Sequence, residues 1–233
     1  MSLLELRGVE AWYAEKPALR GVTLTIEDGD LVAVVGANGA GKTTLLRAIA
    51  RSVRVSGEIL LEGESITRYS PAAMARRGVA YVPQGGGTLS ALSVLDNLRL
   101  GAWVQRGPLD NAYARVFELL PFLYERRHDP AGSLSAGDQR LLALGCAAMA
   151  RPRLVLFDEP SAGVPAAITR QVLTALRELN ERGTAIVVAE QRAGLVVAST
   201  DRAVVLDTGR VVFDGSADAL RSDGSAFPAL LAP

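Results

Sequence analysis

Apolar residues run without interruption at residues 31–35, 154–157 and 185–189. Short unbroken runs rich in β-branched residues predict strands covered on both faces, as in a parallel sheet. Each is followed by a polar or glycine-rich turn and then a helical stretch, the alternation of an α/β sheet with crossover connections. Residues 3–27 behave differently: Val22, Thr23, Leu24, Thr25 and Ile26 alternate, which predicts antiparallel strands. Residues 203–206 and 210–213 flank Asp207, Thr208 and Gly209, a β-hairpin with a glycine turn. Residues 93–130, with periodic apolar positions from Ala112 to Leu123, predict helices that interrupt the alternation.

The expected architecture is therefore one α/β domain over residues 1–233. Its core comes from residues 1–92 and 150–233, with an antiparallel β subdomain and a helical subdomain inserted at about 93–149. No internal repeat or low-complexity segment is present in the sequence. The hairpin falls close to Pro233, so no appended regulatory domain is expected.

Hydrophobic residues make up 49% of the chain, which raises the question of a membrane span. The longest apolar run, residues 141–150, has ten residues, and a spanning helix needs about 20. The N-terminus lacks a basic region followed by an apolar one, so a secretory signal is not expected. The expected location is the cytoplasm. The lone Cys146 has no partner for an internal disulfide and lies in an apolar run, where it is read as a packing thiol. Charge is balanced, 25 basic against 25 acidic residues, with no basic block, so no nucleic-acid partner is expected.

Gly36, Ala37, Asn38, Gly39, Ala40, Gly41, Lys42 and Thr43 follow the strand at 31–35 and open a helix through about Ile49. This is the P-loop pattern in its required strand–helix context. Glycines let backbone N–H groups turn inward around phosphates, and the helix N-terminus adds partial positive charge. Lys42 can place a full charge on the transferred phosphoryl group, and Thr43 can ligate Mg²⁺. A dinucleotide-binding turn is excluded, because Asn38 stands where its second glycine belongs.

The strand at 154–157 ends in Asp158 and Glu159. In open α/β sheets ligands sit outside the carboxyl ends of the strands. Asp158 can hold Mg²⁺ there through water, and Glu159 can polarise an attacking water as general base.

Leu134, Ser135, Ala136, Gly137, Asp138 and Gln139 precede a helix running to about Ala150, about 20 residues before the acidic pair. This segment resembles the signature motif of ABC ATPases. The order of aromatic, P-loop, Gln loop, signature, acidic strand and switch is similar to that family over residues 3 to about 220. The resemblance implies a P-loop NTPase with a RecA-like core and ATP and Mg²⁺ as ligands. It also implies roles for further residues. Tyr13 would stack on adenine, and Asn38, Ala40 and Thr44 would join the phosphate-binding set. Gln84 would sense Mg²⁺ and link to the helical subdomain, with Gly85, Gly86 and Gly87 behind it. Ser135 and the backbone at Gly137 would cap the ATP bound by an opposite protomer.

Three departures from the family pattern stand out. Gln191 occupies the switch position usually held by histidine, and it cannot gain charge near neutral pH. The only histidine, His128, lies elsewhere and is expected on the surface. The loop at 160–165 lacks the usual aspartate, and Ala136 replaces the first signature glycine. With these features the chain resembles the shorter ATPase subunit of branched-chain amino-acid, urea or amide importers. That implies two integral-membrane permease subunits, a second ABC ATPase subunit (or a second copy of this chain), and an external solute-binding protein acting indirectly. It also implies a peripheral position on the inner face of the cell membrane. The rival readings are a soluble ABC ATPase of DNA repair or translation, and a transporter for another solute.

Overall fold

The computed structural model describes residues 2–222; Met1 and residues 223–233, the ends of the expected domain, lie outside the described residues. The first half of the chain forms β1 (Ser2–Tyr13), β2 (Lys16–Glu27), β3 (Leu31–Val35), α1 (Lys42–Ile49), β4 (Val55–Leu61), β5 (Glu64–Ser65), α2 (Pro71–Arg76) and β6 (Val79–Val82). Helices follow: α3 (Val94–Gly101), α4 (Asp110–Leu119), α5 (Pro121–Glu125) and, after a 3₁₀ turn at Ala131–Ser133, α6 (Ala136–Met149). The last part is β7 (Leu154–Asp158), α7 (Ala166–Glu181), β8 (Ala185–Glu190), α8 (Ala193–Val197), β9 (Arg202–Asp207), β10 (Arg210–Ser216) and α9 (Ala217–Ser222).

The strands make two sheets. One is antiparallel with order β2-β1-β4-β5. The other has order β10-β9-β3-β8-β7-β6 and is parallel from β9 to β6, with β10 added antiparallel at one edge. Every residue of β3, β7 and β8 is buried. Side chains alternate across a strand, so each run feeds two cores. Leu31, Ala33, Val35, Val155, Phe157, Ile186 and Val188 pack with α6, α7 and α8. Val32, Val34, Leu154, Leu156 and Val187 pack with α1 and the antiparallel sheet. That double burial is why these strands lack polar alternation.

Several expectations about element bounds need correction. β7 ends at Asp158, so of the two carboxylates read at that strand end only Glu159 lies beyond it, and β8 runs one residue past the expected 189, through Glu190. The hairpin turn is only Thr208 and Gly209, because Asp207 pairs with Arg210. The expected helical region is borne out, and its periodic run from Ala112 to Leu123 is divided between α4 and α5. Pro121 follows Leu120, whose extended φ of −135° separates α4 from α5, since a residue before proline avoids helical geometry.

Candidate functional site

Parallel pairing puts the carboxyl ends of β3, β8, β7 and β6 side by side. Val35 lies opposite Glu190, Asp158 opposite Ala189, and Val82 opposite Phe157. The loops that leave these ends, beginning at Gly36, Glu159, Gln191 and Pro83, therefore converge on one edge of the sheet.

The phosphate-binding pattern spans the turn from β3 into α1. Gly36 admits no side chain: an added Cβ would stand 2.4 Å from the Leu206 carbonyl oxygen. Gly41, the residue before α1, has φ +108°, a region closed to other residues. Between them Asn38 and Gly39 are exposed, while Ala40 is buried. Lys42 is buried and donates from Nζ to the carbonyls of Gly36 at 2.9 Å and Ala37 at 3.1 Å. Its Nζ lies 3.7 Å from Glu159 Oε1. Burial pushes the Lys42 pKa down, opposed by Glu159, Glu190 and Asp158. The ammonium thus sits partly desolvated among carboxylates, ready for a stronger anion. Thr44 is buried in α1.

Asp158 is 1% exposed. Its Oδ1 accepts from Thr43 Oγ1 at 3.0 Å and its Oδ2 from the Tyr81 hydroxyl at 3.1 Å. Burial pushes its pKa up, and the Thr43 and Tyr81 hydrogen bonds pull it back. Glu159 adopts φ +47°, a strained backbone for a non-glycine residue, costing about 1–3 kcal/mol and typical of functional sites. Its Oε2 accepts from Gln84 Nε2 at 2.7 Å.

Gln84 is thus placed on Glu159. No hydrogen bond among the described residues joins it to Thr43 or Asp158, the other two expected Mg²⁺ ligands. Tyr13, 45% exposed at the end of β1, accepts from Arg47 Nη1 at 3.3 Å. Gln191 is exposed directly after β8. Ser135 caps α6, accepting from Asp138 N at 3.1 Å and donating to Asp138 Oδ2 at 2.7 Å. Gly137 is buried in the first turn of α6, where an added Cβ would stand 2.2 Å from Ile168 Cγ2. Packing therefore explains its lack of a side chain. His128 is exposed, as expected. Arg47, Tyr81 and Glu190 were not singled out as site residues from the sequence. The hydroxyls of Tyr81 and Tyr13 both raise the Arg47 pKa. The signal for Glu190 was a carboxylate ending an apolar run, as Asp158 does.

No group of three or more His, Cys, Asp or Glu among the described residues could hold a metal ion. One hydroxyl and one carboxylate, Thr43 and Asp158, are nevertheless what Mg²⁺ uses beside nucleotide phosphates and water, because it keeps few protein ligands. The donors present fit that ion.

Comparison with known proteins gives the family and the fold. The ABC transporter family model matches residues 19–162. The high-affinity branched-chain amino acid transport ATP-binding protein BraG of Pseudomonas aeruginosa is 36% identical over 94% of this chain and 94% of its own. The phosphonates import ATP-binding protein PhnC of Trichormus variabilis is 32% identical over 94% of this chain and 96% of its own. A crystal structure of the ADP conformation of an ATP-binding cassette of an ABC transporter has a TM-score of 0.86. It is 25% identical and aligns over 99% of this chain and 97% of that one. This chain belongs to the ABC transporter family, as its ATP-binding cassette. Its fold is that of a P-loop ABC ATPase, and ATP hydrolysis is its reaction. No helix among the described residues is long and apolar enough to cross a membrane.

Proposed function

We propose that this chain energises the uptake of branched-chain amino acids by hydrolysing MgATP beneath a membrane permease. One observation carries the catalytic part. Two residues of the P-loop helix meet two carboxylates of a neighbouring strand end: Thr43 bonds Asp158 at 3.0 Å, and Lys42 lies 3.7 Å from Glu159.

In this proposal residues 36–44 cradle the phosphates, and Tyr13 stacks on adenine. Thr43 and Asp158 would hold Mg²⁺, which when bound neutralises charge on the phosphate oxygens. Glu159 is the general base. Both of its oxygens are engaged within the chain, Oε1 near Lys42 and Oε2 by Gln84. Phosphate gives Lys42 a stronger counter-charge and releases Oε1. Glu159 then takes a proton from water as the water oxygen bonds to the γ-phosphorus and the bond from that phosphorus to the β–γ bridging oxygen breaks, leaving ADP and inorganic phosphate. Gln84 keeps Glu159 aimed, and Gln191 donates to the γ-phosphate.

Ser135 and the backbone at Gly137 act on the ATP of an opposite protomer. Their position at the N-terminus of α6 supports this, since such a terminus favours anions. Gln191 and the altered loop at 160–165 favour a heterodimer whose partner ATPase supplies what this chain lacks, over a homodimer. Residues 93–149 form the unit that relays motion. Between α3, α6 and the β6 edge lies a groove of about 540 Å³ lined by Met74, Gly86, Leu89, Leu100, Trp103 and Cys146. It adjoins the Gly85–Gly87 stretch after Gln84, where all three glycines have positive φ, and it is where a permease would feel that motion. Two permease subunits and an external solute-binding protein complete the assembly, with this chain peripheral on the inner membrane face. The match to BraG supports branched-chain amino acids, and the match to PhnC keeps another solute as the second reading.

Glu159→Gln tests the base. The expected result is retained ATP binding with turnover reduced about 100-fold or more. Unchanged turnover would remove Glu159 from that role.

A further inference from the structure

Glu190 is 2% exposed at the last position of β8. Three donors from two different loops converge on its carboxylate. Ser161 N–H donates to Oε1 at 2.6 Å, and Ser161 Oγ donates to Oε2 at 2.7 Å. Gln191 N–H donates to the same Oε2 at 3.1 Å. Ser161 lies two residues after Glu159, and Gln191 is the switch residue. A backbone bond from Glu159 N–H to the Ala189 carbonyl at 2.9 Å ties the same two strand ends. From the far side Arg140, on the signature helix α6, donates from Nη2 to the Ala162 carbonyl at 3.0 Å. The loop after Glu159 is thus gripped by one side chain from the switch strand and one from the signature helix.

A buried carboxylate is costly unless fully hydrogen-bonded. Ser161 N–H alone could be satisfied by a neutral acceptor. What a carboxylate adds is a second oxygen: Oε2 holds Ser161 Oγ and Gln191 N–H together while Oε1 takes the Ser161 N–H, so one rigid group fixes all three donors. Burial raises the Glu190 pKa, and the three donors oppose that rise.

We infer that Glu190 is a positioning residue for ATP hydrolysis: it locks the Gln191 backbone to the loop that carries Glu159, so that γ-phosphate engagement and orientation of the base occur together. This rests on the roles given above to Glu159 and Gln191. Glutamine has one acceptor oxygen and one NH₂ group. In Glu190→Gln, with the amide oxygen at the Oε2 position, the Ser161 N–H loses its acceptor and faces an NH₂ group, while side-chain size is kept.

The test compares Glu190→Gln, Gln191→Ala, their double variant, Ser161→Ala and Glu159→Gln in the full chain. It measures kcat, MgATP affinity and amide exchange at residues 160–165 and 190–192. Glu190→Gln is expected to lower kcat about tenfold or more, the scale of one charge-assisted hydrogen bond. It should leave MgATP affinity within about threefold, less than one tenfold step of 1.4 kcal/mol. Exchange should rise at residues 160–165, and the double variant should lose little beyond the larger single loss, as residues acting through one network do. If Glu190→Gln fails to fold, Ser161→Ala, which deletes one hydroxyl and keeps the N–H, is expected to show the same kcat loss at unchanged affinity. Additive losses, or wild-type kcat with only a lowered melting temperature, would overturn the inference. Glu159→Gln separates the two layers. If it is inactive while Glu190→Gln turns over normally, only the positioning role fails; if it turns over normally, the assignment of the base fails first.

Discussion

Gly137→Ala adds a single methyl at the junction of the signature helix with α7, and its cost can be worked from the packing. The new Cβ would lie 2.2 Å from Ile168 Cγ2 and 3.3 Å from Ile168 Cβ and Cγ1, against an optimum of about 3.5–4.0 Å between carbons. Ile168 is the third residue of α7. A β-branched side chain in a helix has essentially one χ1 rotamer, so the methyl cannot swing aside. Overpacking of this kind costs about 1–3 kcal/mol. Alanine regains about 1 kcal/mol of helix propensity. The net loss is therefore up to about 2 kcal/mol, and at about 2–4 °C per kcal/mol for a domain of this size it is measurable. The decisive assay is urea unfolding of the nucleotide-free wild type, Gly137→Ala, Ile168→Ala and the double variant. Truncating Ile168 removes the clash, so the two changes should couple by about 1–3 kcal/mol, with the double variant more stable than the sum predicts. Additivity to within about 0.5 kcal/mol would refute the packing account of Gly137.

Other outcomes follow from the same geometry. Asp158 and Glu190 both have pKa values raised above the ordinary carboxylate range, first by burial. The folded chain therefore binds these protons more tightly than the unfolded one. Their contribution to stability is full below about pH 4 and is lost as pH rises through the raised values. Asp158→Asn and Glu190→Gln should each flatten that part of the melting-temperature curve of the nucleotide-free chain; an unchanged slope would contradict the burial argument. Burial pushes the Cys146 thiol up to about 12, so alkylation by iodoacetamide at pH 8 should be slow in the folded chain and fast in urea. Comparable rates in both would place the thiol in solvent. Tyr13→Ala should raise the KM for ATP about 5- to 150-fold, the range of losing about 1–3 kcal/mol of base stacking, with little change in kcat. A fall in kcat at constant KM would point instead to its bond with Arg47.

Burial decided how much of the fold could be read in advance. Residues 31–35 were legible because both faces of β3 are covered, leaving no polar position to blur the run. β4 was not, because its first four residues are partly or fully exposed and only Ile59, Leu60 and Leu61 are buried. β6 has four residues, too few to show a period. In the site, the P-loop and the pair Asp158 and Glu159 carry their chemistry in contiguous residues. The roles of Tyr81, Arg47 and Glu190 arise from strand neighbours. Tyr81 reaches Asp158 because β6 lies beside β7, and Glu190 meets Ser161 because β8 lies on the other side of β7. No local spacing encodes that order. Ser135 shows the converse: its motif was plain, yet within one chain it acts as a helix cap, and the phosphate proposed for it belongs to a second protomer.

The most direct test of the central claim is a tagged pull-down of this chain from gently solubilised native membranes, with mass spectrometry of what accompanies it. The account predicts two permease subunits, a second P-loop ATPase and a solute-binding protein that takes branched-chain amino acids. Recovery of soluble nucleic-acid-binding or ribosomal proteins, without a permease, would contradict it.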